Sequence, residues 1–201
     1  MTVDATIRAV QTKLGVPVDG NPGPQTWTAI HRAVVGELPA VTSASTGKIA
    51  DERSEKNIGT LLAEVQPLAR ALIEAGAGIG IAIKVISGTR TYDEQNALYE
   101  QGRLKGGRVV TNARGGYSNH NFGIAFDIGV FEGGRYLDES PAYKAVGALG
   151  MKLGLEWGGN WKTIQDEPHF QLRPQWAREM RERDMLAELR ARRQRGQSAF
   201  A

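Results

Sequence analysis

A chain of 201 residues, 41% hydrophobic and 23% charged, has room for one full domain and a small accessory unit. It contains no cysteine, which excludes a thiolate nucleophile, an all-cysteine metal site and any disulfide framework. The net charge of +3 is uneven: residues 173–195 carry eight arginines and four acids, so the basic character belongs to the C-terminal tail and the main body is close to neutral. The start, "MTVDATIRAVQTKL", lacks a charged segment followed by an apolar core, so no secretory signal is expected, and an extracellular role would need another agent to release the protein. The longest weakly polar run, "AGAGIGIAIKVI" (75–86), is too short to span a bilayer and contains Lys84.

In chain order, residues 1–38 read as a short helical unit. "IRAVQTKLG" is amphipathic and stops at Gly15; "VPVDGNPGPQTW" is a turn-rich loop; "PQTWTAIHRAVVG" starts a second helix with Pro24 in its first turn, and His31 within it reads as an ordinary histidine. Residues 39–56 are small and polar and read as a linker. Residues 57–176 read as the main α+β domain, a small antiparallel sheet with flanking helices. Its helices are expected in "NIGTLLAEVQPLARALIEAG", with Ile58, Leu61, Leu62, Val65, Leu68 and Leu72 at helical spacing, in "TYDEQNALYEQGR", and in "SPAYKAVGALGMKLGL", where Ser140 and Pro141 serve as cap and first turn. Strands are expected in "IAIKVISGTR", "GIAFDIGVF" and "PHFQL", and a charged helix over 175–194 opens a C-terminal helix and tail at 177–201.

Two of the three histidines, His120 and His169, lie in the main domain. Alternation along "IAFDIGVF" puts Ile124, Phe126, Ile128 and Val130 on one face and turns Asp127 to the other. His120 precedes this strand in "SNHNFG", where Gly123 permits a turn back toward Asp127. In "PHFQL", His169 and Gln171 share one face, Phe170 and Leu172 the other. Two imidazoles and one carboxylate make up the donor set of a catalytic zinc site with a fourth position open. Two histidines and a carboxylate also bind non-haem iron, but those sites place His and carboxylate two apart on one strand, and here the spacing is seven.

The stretch from Ser118 to Asp127, "SNHNFGIAFD", followed by "DEPH" at 166–169, resembles the signature of the VanY-like zinc peptidases, which include bacterial D-alanyl-D-alanine peptidases and phage L-alanyl-D-glutamate endolysins. Ser118, His120, Gly123, Ala125, Asp127, Asp166 and His169 match its fixed positions, and "SGTRTYDEQ" (87–95) resembles its upstream element. The resemblance spans roughly residues 57–176. It implies zinc held by His120, Asp127 and His169, with Asp166 as the base that moves a proton from water to the leaving amine and Arg90 as the group that stabilises the oxyanion or holds substrate. Ser118, Gln95 and Trp157 are substrate-contact candidates, and Trp161 is a second candidate wall of the cleft. Simple strand alternation across "DEPHF" would favour Glu167 over Asp166 as base, but Pro168 breaks regular pairing and the resemblance favours Asp166.

The N-terminal "VQTKLGVPVDGNPGPQTWTAI" resembles half of a peptidoglycan-binding module, which implies wall binding; packing alone is the other reading. The expected protein is then a monomeric endolysin-like peptidase that cuts the L-alanyl-D-glutamate bond of peptidoglycan and stays in the cytoplasm until released. The alternatives are a D-alanyl-D-alanine carboxypeptidase and a non-catalytic wall-binding protein. The Arg-rich tail reads either as a solvated helix with pairs such as Glu179–Arg183 and Glu188–Arg192, or as an attraction to acidic wall polymer or outer-leaflet lipid. No nucleic-acid motif accompanies the charge.

Overall fold

The computed structural model describes residues 2–22, 24–35 and 50–201, and the chain separates into two units, Met1–Thr46 and Gly47–Ala201. The first carries α1 (Val3–Leu14) and α2 (Pro24–Val35). The Thr2 hydroxyl caps α1 by accepting from the Ala5 amide, and Gly15 ends it in the left-handed conformation. The loop between the helices folds around Gln11, which is buried. Its amide donates to Asp19 Oδ1 (2.6 Å), Asn21 O (2.9 Å) and Thr26 Oγ1 (3.1 Å), and its carbonyl accepts from the Gly20 amide (2.9 Å). One buried side chain thus replaces the backbone pairing that the "VDGN" loop lacks. The side chain of His31 lies outside the described residues.

The second unit runs α3 (Glu52–Ile58), α4 (Gln66–Gly78), β1 (Ala82–Ser87), α5 (Tyr92–Glu100), β2 (Ala125–Glu132), β3 (Arg135–Leu137), α6 (Ala142–Lys152), β4 (Glu156–Trp157), β5 (His169–Gln171) and α7 (Glu182–Gln194). Residues 39–49 of the expected linker lie outside the described residues, and its remainder is corrected: it caps and begins α3. Asp51 Oδ1 accepts from the amides of Arg53 and Ser54 at 3.0 and 3.2 Å. The polar composition that suggested a linker has a structural use. Ser54 Oγ accepts from the Val85 amide (3.1 Å) and Asn57 Nδ2 donates to the Val85 carbonyl (2.8 Å), so α3 satisfies the edge of β1.

The expected long helix from residue 57 is two helices joined by a turn at 59–65. Pro67, in the first turn of α4, has no amide hydrogen and its ring would clash with a helical carbonyl four residues earlier. The apolar positions nevertheless face inward: Ile58, Leu61, Val65 and Leu72 are all buried.

The sheet order is β1-β2-β5-β4, antiparallel throughout, with β3 returning as a hairpin on β2. β2 is central, and β5 pairs with its first residues, setting Asp127 directly opposite His169. One face of β2 (Phe126, Ile128, Val130) joins Ile83, Val85 and Phe170 in the main core, as alternation predicts, whereas Ile124, expected on the same face, precedes the strand and packs in a second cluster. α6 covers this face closely. A Cβ at Gly147 would sit 2.4 Å from the Trp157 ring, and one at Gly150 would sit 2.4 Å from Phe170, so both positions require glycine.

The charged C-terminal helix is shorter than the expected 175–194 and is not a tail. A short turn at Gln175–Ala177 precedes α7. Met185, Leu186 and Leu189 form a buried stripe that packs with Phe122, Ile124 and Ala177 in a second core cluster. The pair Glu188–Arg192 forms at 3.0 Å, whereas Arg183 turns to Asp184. Arg190 donates to Gly116 O (2.9 Å) and stacks on Tyr117, and Arg193 donates to Asn121 O (2.8 Å) and stacks on Tyr92. These arginines brace the loop that carries His120.

Candidate metal centre

Three elements deliver three donor atoms to one point. His120 sits in a 3-10 turn, Asn119–Phe122, that stops at Gly123 with φ of 71°. A Cβ there would be strained and would press within 3.1 Å of Leu62, so the turn predicted before β2 depends on glycine. Asp127 leaves β2 on the face opposite the core, and His169 opens β5 across from it. His120 Nε2 and His169 Nδ1 each lie 3.1 Å from Asp127 Oδ1 and 3.3 Å from each other.

The outer nitrogens fix what those inner atoms are. His120 Nδ1 lies 2.7 Å from the Gly88 carbonyl, and His169 Nε2 lies 3.0 Å from Gln171 Oε1. Both partners accept, so each ring donates its N–H outward and, when neutral, turns a lone pair inward. Two lone pairs and a carboxylate oxygen converging within 3.3 Å repel one another unless a cation lies between them. Ligands held about 2.0–2.1 Å from a tetrahedral metal stand roughly 3.3 Å apart, close to the spacing found. The residues therefore fit a metal ion with a tetrahedral preference and nitrogen-oxygen donors.

Burial opposes ionisation of Asp127, but when the imidazoles carry protons their charge and hydrogen bonds outweigh it and hold its carboxyl well below the usual carboxylate range. Its second oxygen accepts from Arg90 Nη2 at 2.6 Å. Arg90 is itself positioned by Ser87 Oγ (2.9 and 3.2 Å) and Gln95 Oε1 (3.3 Å). Ser87 reaches this place because β1 breaks register between Val85 and Ser87, which puts Ser87 opposite Asp127.

Asp166 is half-buried, and burial, followed by the charge of Asp127, pushes its carboxyl up; His169, His120 and Arg90 act in the opposite direction. Extended alternation is lost across Pro168: residues 166–169 form a turn, closed by the His169 amide on Asp166 O at 3.1 Å. The Glu167 backbone carbonyl accepts from Trp157 Nε1 (2.7 Å).

Two expected substrate contacts are placed elsewhere. Gln95 has no exposed surface; it donates to Ala113 O (2.9 Å) and supports Arg90 from behind. Trp157 is a core residue under α6. Trp161 is the tryptophan beside the centre, its ring centroid 4.9 Å from that of His169. Ser118 is half-buried at the start of the His120 turn. Sequence reading passed over Asn119 and Glu156, both bonded to Gln171. Their positions at the start of the 3-10 turn and in a two-residue strand give no periodic signal.

The family profile described as D-alanyl-D-alanine carboxypeptidase matches residues 111–172, which contain all three donor residues and Asp166. The peptidoglycan L-alanyl-D-glutamate endopeptidase CwlK of Bacillus subtilis (strain 168) is 37% identical over 122 residues, covering 55% of this chain and 72% of that protein. The L-alanyl-D-glutamate peptidase of Listeria phage A118 is 30% identical over 123 residues, 59% of this chain but only 40% of the phage protein. Among solved structures, the Serratia marcescens L-Ala D-Glu endopeptidase ChiX is similar at a TM-score of 0.45 and 22% identity, covering 60% of this chain and 86% of that one. The vancomycin resistance D,D-pentapeptidase VanY, in complex with Zn(II), is similar at a TM-score of 0.45 and 16% identity, covering 69% and 81%. The protein is a metallopeptidase, and the chain belongs to the M15 peptidase family.

Proposed function

We propose that the protein hydrolyses peptidoglycan as a zinc endopeptidase, cutting the stem peptide between L-alanine and D-glutamate. The observation that carries the chemistry is the convergence of His120 Nε2, His169 Nδ1 and Asp127 Oδ1 on one point beside Asp166. The similarity to CwlK, along 72% of that protein, supports the bond.

His120, Asp127 and His169 would hold the metal, whose chemistry when bound is to acidify water and polarise the scissile carbonyl. Asp166 takes the proton of the attacking water and returns it to the leaving amine. Its raised affinity for protons suits a group that must both accept and donate. Arg90 fixes Asp127 through one nitrogen while standing in the wall of an open cleft with Glu94, Leu98 and Gln101, where an anionic stem peptide can meet it. Trp161 covers the His169 side.

The N-terminal unit is the wall anchor in this reading: Trp27 and Val18 are exposed, 60% and 47%, at the start of α2 and in the loop before it. No helix among the described residues is long and apolar enough to cross a membrane. The second reading, cleavage of D-alanyl-D-alanine, is favoured by the description of the matching family profile.

The test is clearing of permeabilised cells. Turbidity should fall with the purified protein, stop on chelation and resume when zinc is restored. Full activity after exhaustive chelation would contradict the reading, as would inactivity with zinc bound.

A further inference from the structure

His169 is the donor held by the most elaborate set of outer contacts, and these point to a residue with a task. Gln171 lies two residues along β5 on the same face as His169 and is 1% exposed, so water cannot substitute for it. Its Oε1 faces His169 Nε2 at 3.0 Å and also accepts from Asn119 Nδ2 at 2.5 Å. Its amide nitrogen donates to Glu156 Oε2 at 2.7 Å, in β4 directly across the ladder. A carboxylate only accepts, so Glu156 fixes which end of the amide looks at His169.

Asn119 is buried too. Both hydrogens of its amide go to acceptors, Gln171 Oε1 and Glu182 Oε1, while its own Oδ1 is the buried side-chain atom without a partner among the described residues. A packing residue would not leave a desolvated carbonyl; a residue kept for two donations would. Arg173 closes the circuit, donating to Glu156 and, at 2.6 Å, to Glu182 Oε2 in the first turn of α7.

We propose that Gln171 is the positioning residue for His169. Its carbonyl holds the hydrogen of the imidazole on Nε2 and so keeps Nδ1 as the donor to the metal. Glu156, Asn119 and Arg173 hold that carbonyl in place and tie it to the C-terminal helix. Partners of this kind typically change metal affinity ten- to a hundredfold when removed. The inference rests on the metal reading of His120, Asp127 and His169, and the experiment separates the two.

The full-length protein, Q171M and the double variant Q171E/E156Q are titrated with zinc against a chromophoric chelator, and their metal-free melting temperatures are measured. In the double variant the acceptor toward His169 and Asn119 is retained, and an amide at 156 donates back to it. Q171M should bind zinc ten- to a hundredfold more weakly at a similar metal-free melting temperature, and its Co(II)-substituted form should show shifted visible bands. The double variant should recover most of the affinity. Wild-type affinity in Q171M would overturn the inference while leaving the metal reading intact. If Q171M fails to fold, a double variant that folds but binds weakly would overturn it as well. A wild-type protein that binds no zinc would bring down the metal reading and this inference with it.

Discussion

Arg90 and Asp127 meet at 2.6 Å from elements 37 residues apart, and the pair divides the Asp127 carboxylate in two: Oδ2 to the guanidinium, Oδ1 to the imidazoles. Both side chains are mostly buried, 21% and 17% exposed. Breaking such a pair from one side leaves an uncompensated charge and costs about 3 kcal/mol or more. Arg90→Lys keeps the charge but cannot bond Asp127, Ser87 and Gln95 together. Zinc affinity should fall roughly tenfold or more, with a matching loss in kcat/KM. An R90K protein that bound zinc as tightly as the parent would show that Arg90 serves substrate alone.

Asp166 and Glu167 are adjacent in the turn through Pro168, and Asp166 is the proposed base. The Asp166 carboxyl responds to Asp127, both histidines and Arg90, whereas the Glu167 backbone is engaged by Trp157. Asp166→Asn should retain zinc and lose about 10²–10⁴-fold in turnover. Glu167→Gln should retain most of it. Metal analysis beside the rate assay distinguishes a lost base from a lost metal; the opposite ranking of the two variants would assign the base to Glu167.

The N-terminal unit should be separable in function. Without residues 1–38 the protein should cleave small soluble muropeptides at the parent rate and sediment poorly with purified sacculi. Equal loss in both assays would make this unit part of the catalytic machinery.

The donor set was legible because each of its residues is announced locally. Alternation turns Asp127 out of the Phe126–Ile128–Val130 face, and glycine at 123 marks the turn that brings His120 back. The choice of Asp166 over Glu167 rests on resemblance, since strand alternation points to Glu167 and the turn at Pro168 removes that alternation. The support of the site was not legible. The bond from Asn119 to Gln171 spans 52 residues and that from Asn119 to Glu182 spans 63, distances over which no periodicity carries information. The same holds for the arginines of α7: their charge read as a solvated tail or an attraction to acidic polymer, while Arg190 and Arg193 are committed to backbone carbonyls 74 and 72 residues away. Composition identified a linker where Ser54 and Asn57 satisfy the edge of β1, because a polar side chain that completes a sheet looks the same in sequence as one that faces water.

Identifying the bond that is cut decides between L-alanyl-D-glutamate and D-alanyl-D-alanine cleavage. Purified peptidoglycan is digested with the zinc-loaded protein, and the newly exposed amines are labelled and identified by mass spectrometry. New N-terminal glutamate is expected, absent after chelation and absent with Asp166→Asn. Release of free D-alanine with no new glutamate terminus would contradict it and assign the protein to D-alanyl-D-alanine cleavage.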